Sequence, residues 1–170
     1  MISRIRGTLL RRELESAEVM TPGGVAYEVA IPLSVYERLP REGAEVELVT
    51  HYVVREDGVA LYGFLDPRER TMFARLLTAS GIGPRLALSM LSTLSPERLV
   101  RAIAERDIAS LRQVPGLGAK KAERLVLELA DKLDDIAVAA AGPPPEGRAA
   151  EEAIGALVAL GYSPAQATAA

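Results

Sequence analysis

The sequence predicts an α+β chain of several domains, in which a small five-stranded β-barrel precedes an all-helical region. Three observations favour this fold class. Over residues 1–63, short runs rich in β-branched residues alternate with glycine-containing turns. From residue 66 the apolar residues recur at helical spacing. A Gly/Pro/Ala stretch over 138–150 has no periodicity, which predicts a linker before a short helical segment.

Five strands are predicted in the first 63 residues. "ISRIRGTLL" is the first, and two runs on either side of Gly23-Gly24 form a hairpin. A fourth strand over 44–57 ends at Asp57-Gly58, and "VALYGFL" returns as the fifth. A helical turn is expected over 33–39. Five short strands at this spacing predict a closed barrel, of which the OB-fold is the usual five-stranded form.

Helices are predicted from Asp66 onwards, because Asp66 suits an N-cap and Pro67 suits the first helical position. Further helices are expected over 84–94, 96–105, 107–112 and 119–135. The last helix has an apolar stripe made of Ala122, Leu125, Val126, Leu129, Ala130 and Leu133. Its charged residues lie outside this stripe, so one face is expected to be buried.

The predicted domain organisation has four segments: a barrel over 1–63, a helical domain over 64–135, a linker over 136–149 and a helical segment over 150–170. The last segment holds one amphipathic helix and the start of a second. It is too short to bury a core of its own. We therefore expect either that it is truncated or that it packs on another structure.

Charge is unevenly distributed along the chain. The formal net charge is −3 over the whole sequence, but it is −3 over 1–63, +4 over 64–133 and −4 over 134–170. A basic excess held in one region is typical of proteins that bind anionic partners. The chain has no cysteine, which excludes disulfides and thiolate metal sites. No secretory signal or transmembrane run is recognised, so a cytoplasmic location away from membranes is expected.

The helical region contains an internal repeat. "LLTASGIGPRLALSML" and "LRQVPGLGAKKAERLV" superimpose with an offset of 35 residues. The matched positions are Gly81 with Gly116, Ile82 with Leu117, Gly83 with Gly118, Arg85 with Lys120 and Ala87 with Ala122. Each copy is predicted to be a helix, a tight glycine turn and a second helix. The apolar residue between the glycines is expected to insert between the two helices.

The start of each second helix is a candidate anion site. Unpaired amide groups and the positive end of the helix dipole favour an anion there. Arg85, Lys120 and Lys121 lie in the same first turns, so phosphate is the expected anion. A plain helical hairpin would explain one copy, but the matched basic residues of two copies favour binding. A dinucleotide-binding loop is not indicated because no strand precedes either turn, and a Walker A loop is absent.

The repeat and the order of the segments resemble a known family. The paired turns resemble helix-hairpin-helix motifs, which bind the DNA backbone without reading its sequence. The order of barrel, "VVREDGVALYGF", "ERTMFARLLTASGIGPRLAL" and "VPGLGAKKAERLVLEL" is similar to the RuvA family, over about residues 1–135 and "EAIGALVALGY". The resemblance implies that DNA is bound by Gly81, Ile82, Gly83, Arg85, Gly116, Leu117, Gly118, Lys120, Lys121 and Arg124. No catalytic residue, metal or cofactor is implied.

The resemblance also gives Glu56 and Asp57 a role. By themselves they are ordinary turn residues. In the RuvA family this hairpin is an acidic pin, which in a homotetramer lies at the centre of a four-way DNA junction. One tetramer or two could clamp the junction. The family also implies partnership with the hexameric ATPase RuvB, through the C-terminal segment, and with the resolvase RuvC. The C-terminal segment is shorter than the family's three-helix tail, which leaves contact with the motor in question.

Two other functions remain open on the residues. "VPGLGAKKA" also resembles the hairpin of helix-hairpin-helix DNA glycosylases, in which a lysine at the place of Lys120 can be the nucleophile. A single-strand-binding OB protein is the other alternative. His51 is expected to be structural, since no metal-ligand cluster surrounds it in the sequence. The aromatic residues of the barrel are expected to pack in cores or interfaces, namely Tyr27, Tyr36, Tyr52, Tyr62 and Phe64.

Overall fold

The computed structural model describes residues 1–55 and 58–133. Its first part contains β1 (Arg4–Arg12), β2 (Ser16–Met20), β3 (Ala26–Ala30), α1 (Leu33–Tyr36), β4 (Glu45–Arg55) and β5 (Gly58–Phe64). The strands close in the order β1-β2-β3-β5-β4, which confirms the predicted five-stranded barrel. Strands β3 and β5 pair in parallel at Ala30 and Tyr62, whereas the other neighbours are antiparallel.

The barrel core comes from the inward residues of alternating strands. In β1, Ile5 and Leu9 are buried while the residues between them, apart from Gly7, are exposed. Gly7 is required by a close approach of two strands, because a Cβ at this position would overlap the carbonyl oxygen of Met20. The predicted turn at Gly23-Gly24 joins β2 to β3, and Gly24 has a φ of +81° that favours glycine.

The second part is helical, with a change of period at residue 66 as predicted. It contains α2 (Pro67–Leu76), α3 (Pro84–Thr93), α4 (Pro96–Ala104), α5 (Ile108–Leu111) and α6 (Ala119–Leu129). Asp66 caps α2 through a capping box with Glu69, which confirms the predicted start. Ser95 and Asp107 cap α4 and α5 without a capping box, each with a side-chain oxygen that accepts a backbone N–H.

Helix α6 is shorter than predicted. The α-helix ends at Leu129 and continues as one 3₁₀ turn over Ala130–Lys132, a tightening that is common at helix C-termini. Its predicted apolar stripe is otherwise confirmed, since Ala122, Leu125, Val126 and Leu129 are all buried. The rest of the predicted helix, the linker and the C-terminal segment lie outside the described residues.

Phe73 of α2 joins the barrel to the helices. Its ring centroid lies 4.8 Å from that of Tyr62, 5.2 Å from Phe64 and 5.5 Å from His51, all on β4 or β5. His51 therefore has the structural role expected of it. Burial lowers the pKa of His51, with a smaller effect from the charge of Arg70. The neutral imidazole is consequently the favoured form at this contact.

Two polar contacts fix the same junction at α1. The guanidinium of Arg38 pairs with the buried carboxylate of Glu69 on α2. The amide of Leu33 donates to the hydroxyl of Ser92 on α3 at 2.9 Å. The barrel and the helical region are thus packed together by aromatic, ionic and hydrogen-bonded contacts. Within residues 1–55 and 58–133, no helix is both long enough and apolar enough to span a bilayer.

Candidate nucleic-acid interface

The two copies of the repeat adopt the same backbone conformation. The first turn lies between α2 and α3, and the second lies between α5 and α6. Gly81 and Gly116 have φ values of +81° and +85°, in the left-handed region that glycine enters without steric cost. This region is unfavourable for other residues, so the first glycine of each pair is required by the turn itself.

The apolar residue of each turn is buried. Ile82 is 5% exposed and Leu117 is 3% exposed, which confirms that both side chains insert between helices. Their amides are also used, because Ile82 donates to the carbonyl of Ala79 and Leu117 donates to that of Val114. These two residues were predicted to bind the DNA backbone. In the structure both the side chain and the amide of each residue are used within the turn, and their contact with the DNA backbone stays a prediction.

The helices that follow the turns begin differently from α2, α4 and α5, which have side-chain caps. Gly83 and Gly118 are the N-caps of α3 and α6, and neither helix has a side-chain cap. The first hydrogen bonds within these helices are donated by Ala87 to Gly83 and by Ala122 to Gly118. The N–H groups that precede them in each helix have no partner within the helix, and Pro84 has no N–H. Both N-termini can therefore donate hydrogen bonds to an anion.

The predicted cations lie in these first turns and are exposed. Arg85, Lys120 and Lys121 have no ion-pair partner within the described part of the chain. A cation at a helix N-terminus opposes the dipole, so an incoming anion would relieve an unfavourable interaction. Arg124 differs from them, because its Nε donates to Glu128 at 2.8 Å. Three of the predicted cations are therefore without an ion-pair partner among the described residues, whereas Arg124 already has one.

Residues of both turns line one groove of about 1000 Å³. Gly81, Gly83 and Arg85 come from the first motif, and Gly116 and Lys121 come from the second. The barrel side of the groove contains Leu14, Glu15, Leu33 and Tyr62. The structure therefore brings the two copies of the repeat to one surface, which the sequence alone did not establish.

The two motifs are braced against each other. The amide of Ser80, in the first turn, donates to Glu128 Oε2 on α6 at 2.7 Å. In return, the hydroxyl of Ser89 on α3 donates to the carbonyl of Pro115 in the second turn at 3.3 Å. Ser80 and Pro115 occupy equivalent positions of the repeat. Sequence reasoning missed this arrangement, because no local pattern links residues 48 positions apart.

Glu128 is held in its ionised form by this brace. Its pKa falls from 4.5 to about 2, first because the Ser80 amide donates to it and second because Arg124 does so. A carboxylate whose pKa is lowered by folding stabilises the fold when the pH is above the ordinary pKa of 4.5. That contribution is lost as the pH falls from 4.5 towards 2. The brace is therefore fully present at neutral pH.

The second glycine of each pair is the N-cap of the helix that follows. Gly83 and Gly118 have φ values of −95° and −75°, which any residue adopts. A Cβ added at either position would meet open space. Glycine at these two positions is therefore explained by neither backbone strain nor internal packing. Two physical reasons for a glycine remain: its suitability as an N-cap and the close approach of a partner to the backbone.

The acidic residues Glu56 and Asp57 lie outside the described residues. The strands on either side are as predicted, since Arg55 at the end of β4 pairs with Gly58 at the start of β5. Val54 and Val59 are opposite each other on these strands and are 66% and 64% exposed. The hairpin predicted to carry the acidic pair thus has exposed apolar residues at its base.

Two family models match the chain. Residues 1–63 match the model described as RuvA N terminal domain, which covers the barrel. Residues 73–131 match the SAM-like Helix-hairpin-helix tandem, which covers both glycine turns and the helices that follow them. These matches agree with the barrel and the repeat found in the structure.

Three proteins that are similar along nearly the whole chain share the name "Holliday junction branch migration complex subunit RuvA". The protein of Gemmatimonas aurantiaca is 52% identical over 98% of this chain and 85% of its own length. That of Acidobacterium capsulatum is 53% identical over 95% of this chain and 82% of its own. That of Citrobacter koseri is 39% identical over 99% and 88%. With this similarity, the closed five-stranded barrel and the two braced glycine turns, the chain belongs to the RuvA family.

Proposed function

We propose that this chain binds Holliday junction DNA as the non-enzymatic subunit of a branch-migration complex. The observation that carries the proposal is the pair of uncapped helix N-termini, each beside an unpaired basic side chain, at one groove. The names of the relatives support the junction as the ligand, since all those described above are branch-migration complex subunits. The ATPase of such a complex would be its partner RuvB, and RuvC is a further candidate partner.

Recognition would rest on the phosphate backbone. Amides at the starts of α3 and α6 would donate to phosphate oxygens, while Arg85, Lys120 and Lys121 would supply charge. None of these groups distinguishes one base pair from another, so binding would be independent of sequence. Two motifs at one groove would bind two points along a backbone, which fixes the orientation of the protein on DNA.

The choice of a junction over plain duplex would come from repulsion. In a homotetramer, four hairpins carrying Glu56 and Asp57 would meet at the centre of the junction. Their carboxylates would repel phosphates there, while the glycine turns attract phosphates along each arm. Attraction on the arms and repulsion at the crossover together favour an open, square-planar junction. The acidic pin and the tetramer are both parts of this proposal.

A direct binding comparison tests the proposal. The chain should bind a synthetic four-way junction more tightly than duplex or single-stranded DNA of the same sequences, as measured by gel shift. Equal or tighter binding of single strands would instead favour a single-strand-binding OB protein. Incubation with duplex that carries damaged bases should yield no abasic sites. Formation of abasic sites would favour the glycosylase alternative and contradict a non-enzymatic role.

Gly118→Ala should weaken junction binding with only a small effect on stability. Its φ allows alanine and its Cβ would enter open space, so only a closely approaching partner would meet the added methyl group. We expect about tenfold weaker binding, equivalent to one lost charge-assisted hydrogen bond. The melting temperature should fall by no more than about 4 °C, because alanine is a poorer N-cap than glycine by up to about 1 kcal/mol. Fluorescence anisotropy with a labelled junction and thermal unfolding measure the two quantities.

Gly23→Ala is the matched control for this variant. Gly23 lies in the β2–β3 turn, has no positive φ, and has only the Thr21 hydroxyl within 4.0 Å of an added Cβ. The control should leave both binding and stability unchanged. Undiminished junction affinity in Gly118→Ala would contradict a close approach of DNA to the start of α6.

Glu56→Gln combined with Asp57→Asn should keep junction binding but alter branch migration. The substitution removes the negative charges proposed to act at the crossover while preserving the size of both side chains. The binding residues at the glycine turns are untouched, so affinity should be retained or increased. The measurement is the rate of branch migration with the partner ATPase present. An unchanged rate would remove the proposed role of the acidic pin.

A further inference from the structure

Glu128 connects the two motifs through one carboxylate. Oε2 accepts the amide of Ser80 at 2.7 Å, and Oε1 accepts the Nε of Arg124 at 2.8 Å. Ser80 directly precedes Gly81, the residue whose positive φ makes the first turn. The carboxylate therefore anchors the first turn to α6, the helix whose N-terminus belongs to the second motif.

The brace has a partner at the equivalent point of the repeat. Pro115 corresponds to Ser80, and its carbonyl accepts the hydroxyl of Ser89 from α3. A proline has no amide to donate, so the second turn is held through its carbonyl and the first through its amide. A Cβ at Gly116 would also lie 3.6 Å from Leu86 Cδ1 on α3. Each turn is thus held by the second helix of the other motif.

We infer that Glu128 is a positioning residue that sets the first glycine turn relative to the second, so that both reach one DNA backbone. This inference rests on the proposed binding of DNA by the two turns. Glu128 itself would not contact DNA, because a carboxylate repels phosphate. Two backbone-binding points improve affinity only when their separation matches that of the phosphates they contact. If the separation does not match, both points cannot bind at the same time.

Variants at position 128 separate positioning from charge. Glu128→Ala removes the acceptor of the Ser80 amide, and we expect junction binding about tenfold weaker, as for one charge-assisted hydrogen bond. Glu128→Gln keeps an oxygen that can accept this amide, so it should restore affinity to within about threefold of the unsubstituted chain. Both are compared by anisotropy with a labelled four-way junction. Binding by Glu128→Ala as tight as that of the unsubstituted chain would overturn the inference.

Glu105→Ala is a matched control for the loss of an ion pair. Arg101 and Glu105 form the same i,i+4 pair on α4 at 2.9 Å, close to the 2.8 Å of Arg124 and Glu128. Glu105 makes no hydrogen bond to a glycine turn among the described residues. Its replacement should leave junction affinity unchanged. An equal loss of affinity in both variants would attribute the effect to the loss of an i,i+4 ion pair and not to the brace.

Amide exchange and a double-mutant cycle locate the effect. In Glu128→Ala, hydrogen exchange of the Ser80 amide should accelerate while exchange in β4 stays unchanged. If Glu128 acts through the first motif, its replacement should matter less in an Arg85→Ala background than in a Lys120→Ala background. Equal effects in the two backgrounds would contradict the inference. If neither Arg85→Ala nor Lys120→Ala weakens binding, the proposed function fails instead.

Discussion

The combined substitution of Arg85, Lys120 and Lys121 by alanine should weaken junction binding about a hundredfold near 0.15 M salt. These cations have no ion-pair partner in the described part of the chain and lie in the first turns of α3 and α6. Each lost phosphate contact also means that fewer counterions are released from the DNA on binding. The slope of log affinity against log salt should therefore become shallower by about 2.7 per engaged protomer, which corresponds to three contacts.

Stability distinguishes this effect from misfolding. Each of these cations opposes a helix dipole, by about 0.3–1 kcal/mol in comparable cases, so their removal should leave the melting temperature unchanged or raise it. A variant with Arg98, Arg101 and Lys132 replaced by alanine is the matched control. It loses the same charge from exposed positions away from both helix starts. Loss of affinity for only some DNA sequences, or an equal loss in the control, would contradict binding by these backbone contacts.

Phe73→Ala should cause the largest loss of stability. The side chain is fully buried and its ring contacts those of His51, Tyr62 and Phe64 across the junction between barrel and helices. Removing a buried phenylalanine ring typically costs about 3–5 kcal/mol, through lost burial and the cavity left behind. We expect the midpoint of thermal unfolding to fall by roughly 10 °C, with a broader transition or two transitions.

Phe73→Leu is the control for this prediction. It retains much of the buried volume but removes the three ring contacts, so it should have an intermediate effect. Circular dichroism in the far ultraviolet follows the helices. Near-ultraviolet signals from the five tyrosines, four of which lie within residues 1–64, mainly follow the barrel. Coincident transitions with less than about 1 kcal/mol of destabilisation would show that the contact contributes little to the fold.

Local patterns predicted most of the fold. The capping box at Asp66, the turn at Gly24 and the buried stripe of α6 are all determined by residues near one another in sequence. These are the features that hydrophobic period and turn chemistry report. The sequence also predicted that Ile82 and Leu117 insert between helices, because the two copies of the repeat show the same apolar residue between glycines.

Contacts between distant segments were not predictable in the same way. The brace from Ser80 to Glu128 and the packing of Phe73 on three barrel residues depend on how whole elements dock. The pairing of Arg124 with Glu128 follows i,i+4 spacing, yet the sequence offered no reason to prefer that pair over contact with DNA. The 3₁₀ end of α6 reflects small differences in energy at a helix terminus.

The junction at Phe73, Arg38 and Glu69 has a mechanical consequence. It joins α2 to β5 of the barrel through Phe73 and to the residues after α1 through Glu69, so we expect strands β4 and β5 to move together with the helix that precedes the first glycine turn. In a complex with nucleic acid, the protein would then be the stiffer partner and the DNA the more deformable one. Bending, unstacking and rotation of the arms would be borne by the DNA, while the protein would dictate the geometry to which those arms conform.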